Sequence, residues 1–265
     1  MSRIAVNGAG GRMGRAIIRI LLERGHQIAG AYEISSSPLL GRDAGLVAGL
    51  EPIGISISEM PKSFSSDIEL VIDFSSPPAS ISVANAARAA KTALVMGTTG
   101  FTQEERVSIE NAGADIPLIL APNMSPGVNL LFRLTEMAAR VLNSGYDIEV
   151  LESHHRFKKD APSGTAKKLV EIIRQSSPEL ANLHEINDRT VYTREREPAE
   201  VGMSVVRGGD IVGEHTVFFI GMGERIELTH RATNRDTLAR GAVLAAEFLH
   251  RKPPGLYTMY DVLGI

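Results

Sequence analysis

Apolar residues in the first 125 positions fall into short unbroken runs, separated by stretches in which they recur every three or four residues. Ile4-Ala-Val-Asn7, Leu70-Val-Ile-Asp73, Ala93-Leu-Val-Met96 and residues 116–121 have strand length and the continuous hydrophobicity of strands covered on both faces. Residues 27–32 form one more. Between them, residues 12–23 place Met13, Ile17, Ile18, Leu21 and Leu22 on one helical face, and residues 77–90 and 102–111 also read as helices. This alternation predicts a parallel sheet with crossover helices. Residues 35–66, rich in Gly, Ser and Pro, are expected to be loop with short helical pieces.

The pattern changes after Pro126. A helix over 128–142 leads into a strand over 147–154. Strand-like segments follow at 201–206, 216–220 and 225–229, with turns at Gly208-Gly209 and Gly221-Met-Gly223 and a helix over 165–175. Residues 236–250 form a closing helix. The middle of the chain therefore predicts an α+β unit on a mostly antiparallel sheet, set into the α/β unit. The boundaries are 1–125 plus 236–265 for the first and 126–235 for the second, with hinges near residues 123–127 and 233–236.

Composition narrows the function. A net charge of −3 gives no field to draw in nucleic acid or anionic lipid. The chain has no cysteine, which excludes disulfides and thiol chemistry and fits a reducing cytoplasm. No apolar run is long enough for a membrane span, and the first residues run straight into a strand without a signal-peptide pattern.

Two places carry candidate chemistry. Gly8-Ala-Gly10-Gly11-Arg-Met-Gly14 joins the first strand to the first helix, where glycines admit a pyrophosphate and helix N–H groups receive it. The usual third glycine position holds Met13, and Gly14 follows it. Another α/β fold could use such a turn, but its strand–helix context favours a dinucleotide. Glu33, about twenty residues on, stands where an acidic side chain meets the ribose hydroxyls. Ile34 follows, so no arginine stands beside Glu33 to hold a 2′-phosphate. That predicts NADH over NADPH, with Arg12 as an alternative partner for the phosphate. Gly97-Thr98-Thr99-Gly100 and Ala121-Pro-Asn-Met124 lie at strand carboxyl ends, the ligand edge of such sheets.

The second place is Glu152 to Thr165, ESHHRFKKDAPSGT. Two histidines leave a strand, two lysines follow on a loop, and Ser163-Gly164-Thr165 opens a helix. A proton donor, fixed positive charge and a helix N-terminus suit a small dianionic substrate that is protonated as it reacts. Lys158 suits carboxylate binding or proton donation, and Lys159 reads as a solvated neighbour. Asp160 could orient a donor, but it reads rather as part of the loop and helix-start sequence. Arg207, Asp210 and Glu214 read as a structural ion network. His215 and His230 lack metal-ligand spacing, so no metal site is expected.

Taken together, VNGAGGRMGR, VIDFS, VMGTTGF, APNMSPGVN, HHRFKKDAPSGTA and GGDIVGEHTV resemble the 4-hydroxy-tetrahydrodipicolinate reductase family of lysine and diaminopimelate synthesis, from end to end. The resemblance implies a Rossmann-like domain with an inserted substrate domain, a nicotinamide cofactor, a small dicarboxylate substrate and a homotetramer built through the substrate-domain sheets. It implies hydride addition at ring C4 followed by protonation. His154 corresponds to the proton donor and Lys158 to a second donor, with His155, Gly164 and Thr165 as substrate contacts. Gly8, Ala9, Gly10, Gly11, Arg12, Met13, Glu33, Gly97, Thr98, Thr99, Ala121, Pro122, Asn123 and Met124 correspond to cofactor contacts. Members that accept NADPH well often carry arginine where this chain has Ile34.

Overall fold

A computed structural model describes residues 1–265. In chain order the elements are β1 (Arg3–Asn7), α1 (Arg12–Glu23), β2 (Gln27–Glu33), α2 (Ala44–Val47), β3 (Ile57–Glu59), β4 (Leu70–Asp73), α3 (Pro77–Ala90), β5 (Ala93–Met96), α4 (Gln103–Glu110) and β6 (Pro117–Leu120). Then come α5 (Pro126–Val141), β7 (Asp147–His154), α6 (Gly164–Ser176), β8 (His184–Ile186), β9 (Glu200–Arg207), β10 (Gly213–Ile220) and β11 (Arg225–Ala232). The chain closes with α7 (Asp236–Leu249), β12 (Gly255–Tyr257) and α8 (Met259–Leu263). Two compact units result, Met1–Pro126 with Asp236–Ile265, and Gly127–Arg235.

The first unit holds a sheet of order β12-β6-β5-β4-β1-β2-β3, parallel at every pairing. Period-two alternation divides its apolar runs between two cores. Ile4, Val6, Leu70, Ile72 and Val95 join one with Ile17 and Leu21 of α1 and Ala242 and Val243 of α7. Ala5, Val71, Leu94 and Met96 join the other with Val83, Ala84 and Ala87 of α3 and Ile109 of α4. Strand order reverses between β1 and β4, which opens a crevice at their carboxyl ends. α3 opens on Pro77 and Pro78, whose missing N–H groups cost nothing in a first turn, and stops at Lys91 in the left-handed conformation.

The second unit holds a sheet of order β11-β10-β7-β9-β8. The expected antiparallel part is β7-β10-β11. The pairings β7–β9 and β8–β9 are parallel, which makes the sheet mixed. The cause is α6. A strand followed by a helix packed on the sheet returns in the same direction, as a crossover. α6 packs on β7 and β10 and buries Leu169, Val170 and Ile173. The three-residue strands β3, β8 and β12 lie at sheet edges and carry too few residues for a periodic signal. No helix is long and apolar enough to cross a membrane.

Candidate active site

In the first unit the glycine turn is built by contacts that only glycine allows. Gly8 has a φ of 76°, and a Cβ there would stand 2.3 Å from the Phe74 carbonyl oxygen. At Gly14 a Cβ would come within 2.1 Å of the Gly8 carbonyl oxygen and 2.7 Å of Ala9 Cα. Gly14 thus performs the helix–strand packing that the usual spacing assigns one residue earlier. Gly11 caps α1 without any side-chain cap, leaving the helix start open to an anion. Glu33 accepts a 2.8 Å hydrogen bond from the Gly10 N–H, which anchors its carboxylate over the turn. Beside it lies a cavity of about 450 Å³ lined by Glu33, Ile34, Glu59, Lys62, Ser82 and Asn85, among others. Ala9, Ala121 and Met124 are buried in the core, so they offer a ligand only their backbone.

The loops at the carboxyl edge are tied together by one buried carboxylate. Asp73 ends β4 fully buried. It accepts from Asn7 Nδ2 at 2.7 Å, Ser75 Oγ at 2.6 Å, Thr98 Oγ1 at 2.9 Å and the Ser80 hydroxyl. Thr98 also accepts from the Ser75 N–H at 2.9 Å. Its hydroxyl is therefore consumed inside the protein, and any cofactor contact at Thr98 falls to its backbone. A Cβ on Gly97 would overlap the Phe74 ring at 2.1 Å, so that glycine keeps the ring and the loop in contact. Thr99 and Gly100 are exposed. Asn123 turns its Oδ1 to the Ser125 N–H at 2.9 Å.

In the second unit, sheet register gathers the polar cluster. Glu152 and His154 lie two apart on β7 and share a face. His215 of β10 stands opposite Glu152, and Arg207 of β9 beside His154. Glu152 is fully buried and accepts four hydrogen bonds. Arg207 gives two at 2.8 Å, the Ser163 N–H one at 3.0 Å and His154 Nδ1 one at 2.5 Å. Arg207 also donates to the Asp160 carbonyl oxygen at 2.7 Å. Lys158 pairs with Asp160 at 2.9 Å. The Ser163 hydroxyl caps α6 through the Ala166 N–H and meets His215 Nε2 at 3.2 Å. The His154 and His215 rings meet edge to face at 5.2 Å.

The protonation states follow from these surroundings. Burial would push the Glu152 carboxyl up, but Arg207, His154 and the Ser163 N–H together hold it below the usual range. Burial pushes His154 down; Glu152 pulls it back up, and Lys158 and Arg207 push it down again, leaving it below its ordinary value. His215 is driven down to about 4, by burial first and then by His154. It stays neutral at physiological pH.

The structure thus brings His154 and Lys158 together with the start of α6 at Gly164 and Thr165. A Cβ at Gly164 would meet no atom, so the helix start is open to a carboxylate there. His155 packs against Phe157, with ring centroids 6.2 Å apart. Asp160, expected to be simply part of the loop, instead pairs with Lys158 and orients it. Arg207 is more than a member of a turn network, because it reaches the residue that holds His154. Glu152 was missed in the sequence, although a carboxylate two residues from a histidine on one strand was the available signal. His215 left no such signal, since only the β7–β10 register brings it in. No group of three His, Cys, Asp or Glu residues is arranged to hold a metal.

Strand order β3-β2-β1-β4-β5-β6, with a glycine turn at its reversal, is that of the dinucleotide-binding proteins, and the second unit adds an acid–imidazole cluster. Residues 2–124 match the family described as dihydrodipicolinate reductase, N-terminus, and residues 127–263 match dihydrodipicolinate reductase, C-terminus. The chain belongs to the dihydrodipicolinate reductase family. It is 48% identical to the 4-hydroxy-tetrahydrodipicolinate reductase of Syntrophotalea carbinolica over the whole of both chains. It is 46% identical to the protein of that name from Anaeromyxobacter dehalogenans, over all of this chain and 98% of the relative. A dipicolinate-bound dihydrodipicolinate reductase from Paenisporosarcina sp. TG-14 shares the fold, with a TM-score of 0.75, 20% identity and 98% of each chain covered.

Proposed function

We propose that the chain reduces 4-hydroxy-tetrahydrodipicolinate to tetrahydrodipicolinate with loss of water, in lysine and diaminopimelate biosynthesis, and prefers NADH to NADPH. The observation that carries this reading is full-length likeness to reductases of that name in a chain that holds His154 and Lys158 in one cluster.

Reduced nicotinamide, when bound, supplies the hydride. The residues that would hold the cofactor are those of the glycine turn, the Gly97–Thr99 and Ala121–Met124 backbones, and Glu33 at the ribose. In the second unit Lys158 and the start of α6 bind the two substrate carboxylates. His154 donates the proton from Nε2, since Nδ1 is committed to Glu152. His154 is mostly neutral while its pKa is depressed, and a dianionic substrate beside it favours the imidazolium. His155 is a substrate contact.

Preference for NADH rests on the rim of the adenosine cavity. Glu33 and Glu59 end neighbouring strands in register, and a 2′-phosphate would meet both carboxylates against the single ammonium of Lys62. Exposed Val205, Val206 and Ile226 on β9 and β11 support a homotetramer built through this sheet, which sedimentation equilibrium tests directly.

The decisive assay follows nicotinamide absorbance after mixing the protein with substrate made in place by its synthase from pyruvate and aspartate semialdehyde. Oxidation that vanishes when the synthase is omitted is the expected result. Bound NADH without turnover would leave a nucleotide-binding protein and remove the reductase reading.

A further inference from the structure

We propose that Glu152, clamped by Arg207, is the positioning residue that fixes the tautomer and aim of His154 and sustains its positive charge during turnover. This deepens the reading of His154 as proton donor and rests on it.

Geometry carries the inference. An ionised carboxylate presents about four acceptor directions, and all four on Glu152 are taken. Oε1 receives Arg207 Nη2 and the Ser163 N–H; Oε2 receives Arg207 Nη1 and His154 Nδ1. With no exposed surface and no free lone pair, Glu152 cannot touch substrate, so it acts only through the groups that bind it. The contact to His154 dictates a tautomer, because a carboxylate that only accepts requires the proton on Nδ1. Nε2 is left as the exchangeable position. It lies over Gly213, where even a methyl carbon would come within 3.1 Å of it. The same pair also fixes the loop that carries Lys158, through the Asp160 carbonyl and the Ser163 N–H.

Charge points the same way. The groups facing His154 are Glu152 from its own strand, Lys158 with its partner Asp160 from the loop, Arg207 from β9 and neutral His215 from β10. Burial, Lys158 and Arg207 all oppose an imidazolium, and Glu152 is the carboxylate in direct contact that favours it. Arg207 keeps that carboxylate ionised in a buried place. In Glu152→Gln the amide keeps the shape but loses the charge, and two cations remain facing the ring.

The test is kcat against pH for the wild type, His154→Gln and Glu152→Gln, with KM for NADH recorded throughout. The wild type is expected to lose rate on an alkaline limb, and His154→Gln to lack that limb. Glu152→Gln should shift the limb about one pH unit lower, which is about tenfold in rate on that limb. KM for NADH should not change, and activity should recover as pH falls. A uniformly destabilised fold would not move the limb. An unshifted limb in Glu152→Gln, with the limb lost in His154→Gln, overturns this inference alone. A limb that persists in His154→Gln overturns the proton-donor reading and this inference with it. If Glu152→Gln does not fold, imidazole nitrogen NMR of the wild type decides. A proton on Nδ1 of His154 with a strongly downfield shift supports the clamp, and the Nε2–H tautomer overturns it.

Discussion

Next to the Glu214–Ser153 pair in the β7–β10 register, Gly213 faces His154 and offers no side chain. Its backbone does not occupy the left-handed region, so alanine is conformationally allowed there. Space is the obstacle. The alanine methyl would sit 3.1 Å from His154 Nε2, the nitrogen proposed to donate the proton, and the ring would have to yield by a few tenths of an ångström. Small displacements of a proton donor are expensive because transfer depends on near-contact geometry. Gly213→Ala is therefore expected to lower kcat on the order of tenfold, leaving KM for NADH and the thermal midpoint nearly unchanged. Steady-state kinetics and a melting curve check this together. Unchanged kcat would mean that Nε2 does not work over Gly213.

At the scale of elements, the proposed preference for NADH rests on how two strands end. β2 and β3 finish side by side on Glu33 and Glu59, and Ile34 continues from β2 more than half exposed. Arginine at that exposed place would put a planar cation beside the cavity and balance one carboxylate. Ile34→Arg is expected to raise kcat/KM with NADPH by roughly tenfold while changing the NADH value little. Raising ionic strength should shrink the gain, since exposed charges are screened. An NADPH value that does not rise would show that Ile34 does not adjoin the 2′ position. The same elements show what a sequence discloses. β4 and β5 were legible because their buried residues include unbroken apolar runs of three and four, and α1 because its apolar face repeats. β3, β8 and β12 were hidden because three residues at a sheet edge bury little. The parallel pairing of β7 with β9 was hidden as well, because it depends on where α6 packs. The candidate site divides likewise. His154, Lys158 and the start of α6 lie within one fourteen-residue stretch. Arg207 and His215 reach Glu152 through register across 55 and 63 positions, and no local pattern reports that.

Across the whole molecule, the groups sensitive to mild acid are concentrated in the second unit. His154, His215 and His230 all belong to Gly127–Arg235, and burial pushes all three down. A histidine with a depressed folded pKa binds fewer protons folded than unfolded between its two values. Its contribution is therefore complete above the unfolded value and is lost as pH falls toward the folded one. For His215 the window runs from the ordinary value of 6.5 down to about 4. Across it, stability should fall by about 3 kcal/mol from this imidazole. Glu152 acts in the same direction at lower pH, because its carboxyl is held below the usual range and protonation breaks its contacts. Denaturant titrations between neutral pH and about pH 4 are expected to show this fall. His215→Gln removes the titrating ring, so its stability should depend distinctly less on pH across the same window, even if it starts lower at neutral pH. Equal slopes for the two proteins would mean that His215 is not held neutral by the fold. A reduced slope would tie the acid sensitivity of this unit to the neutral ring that packs against His154.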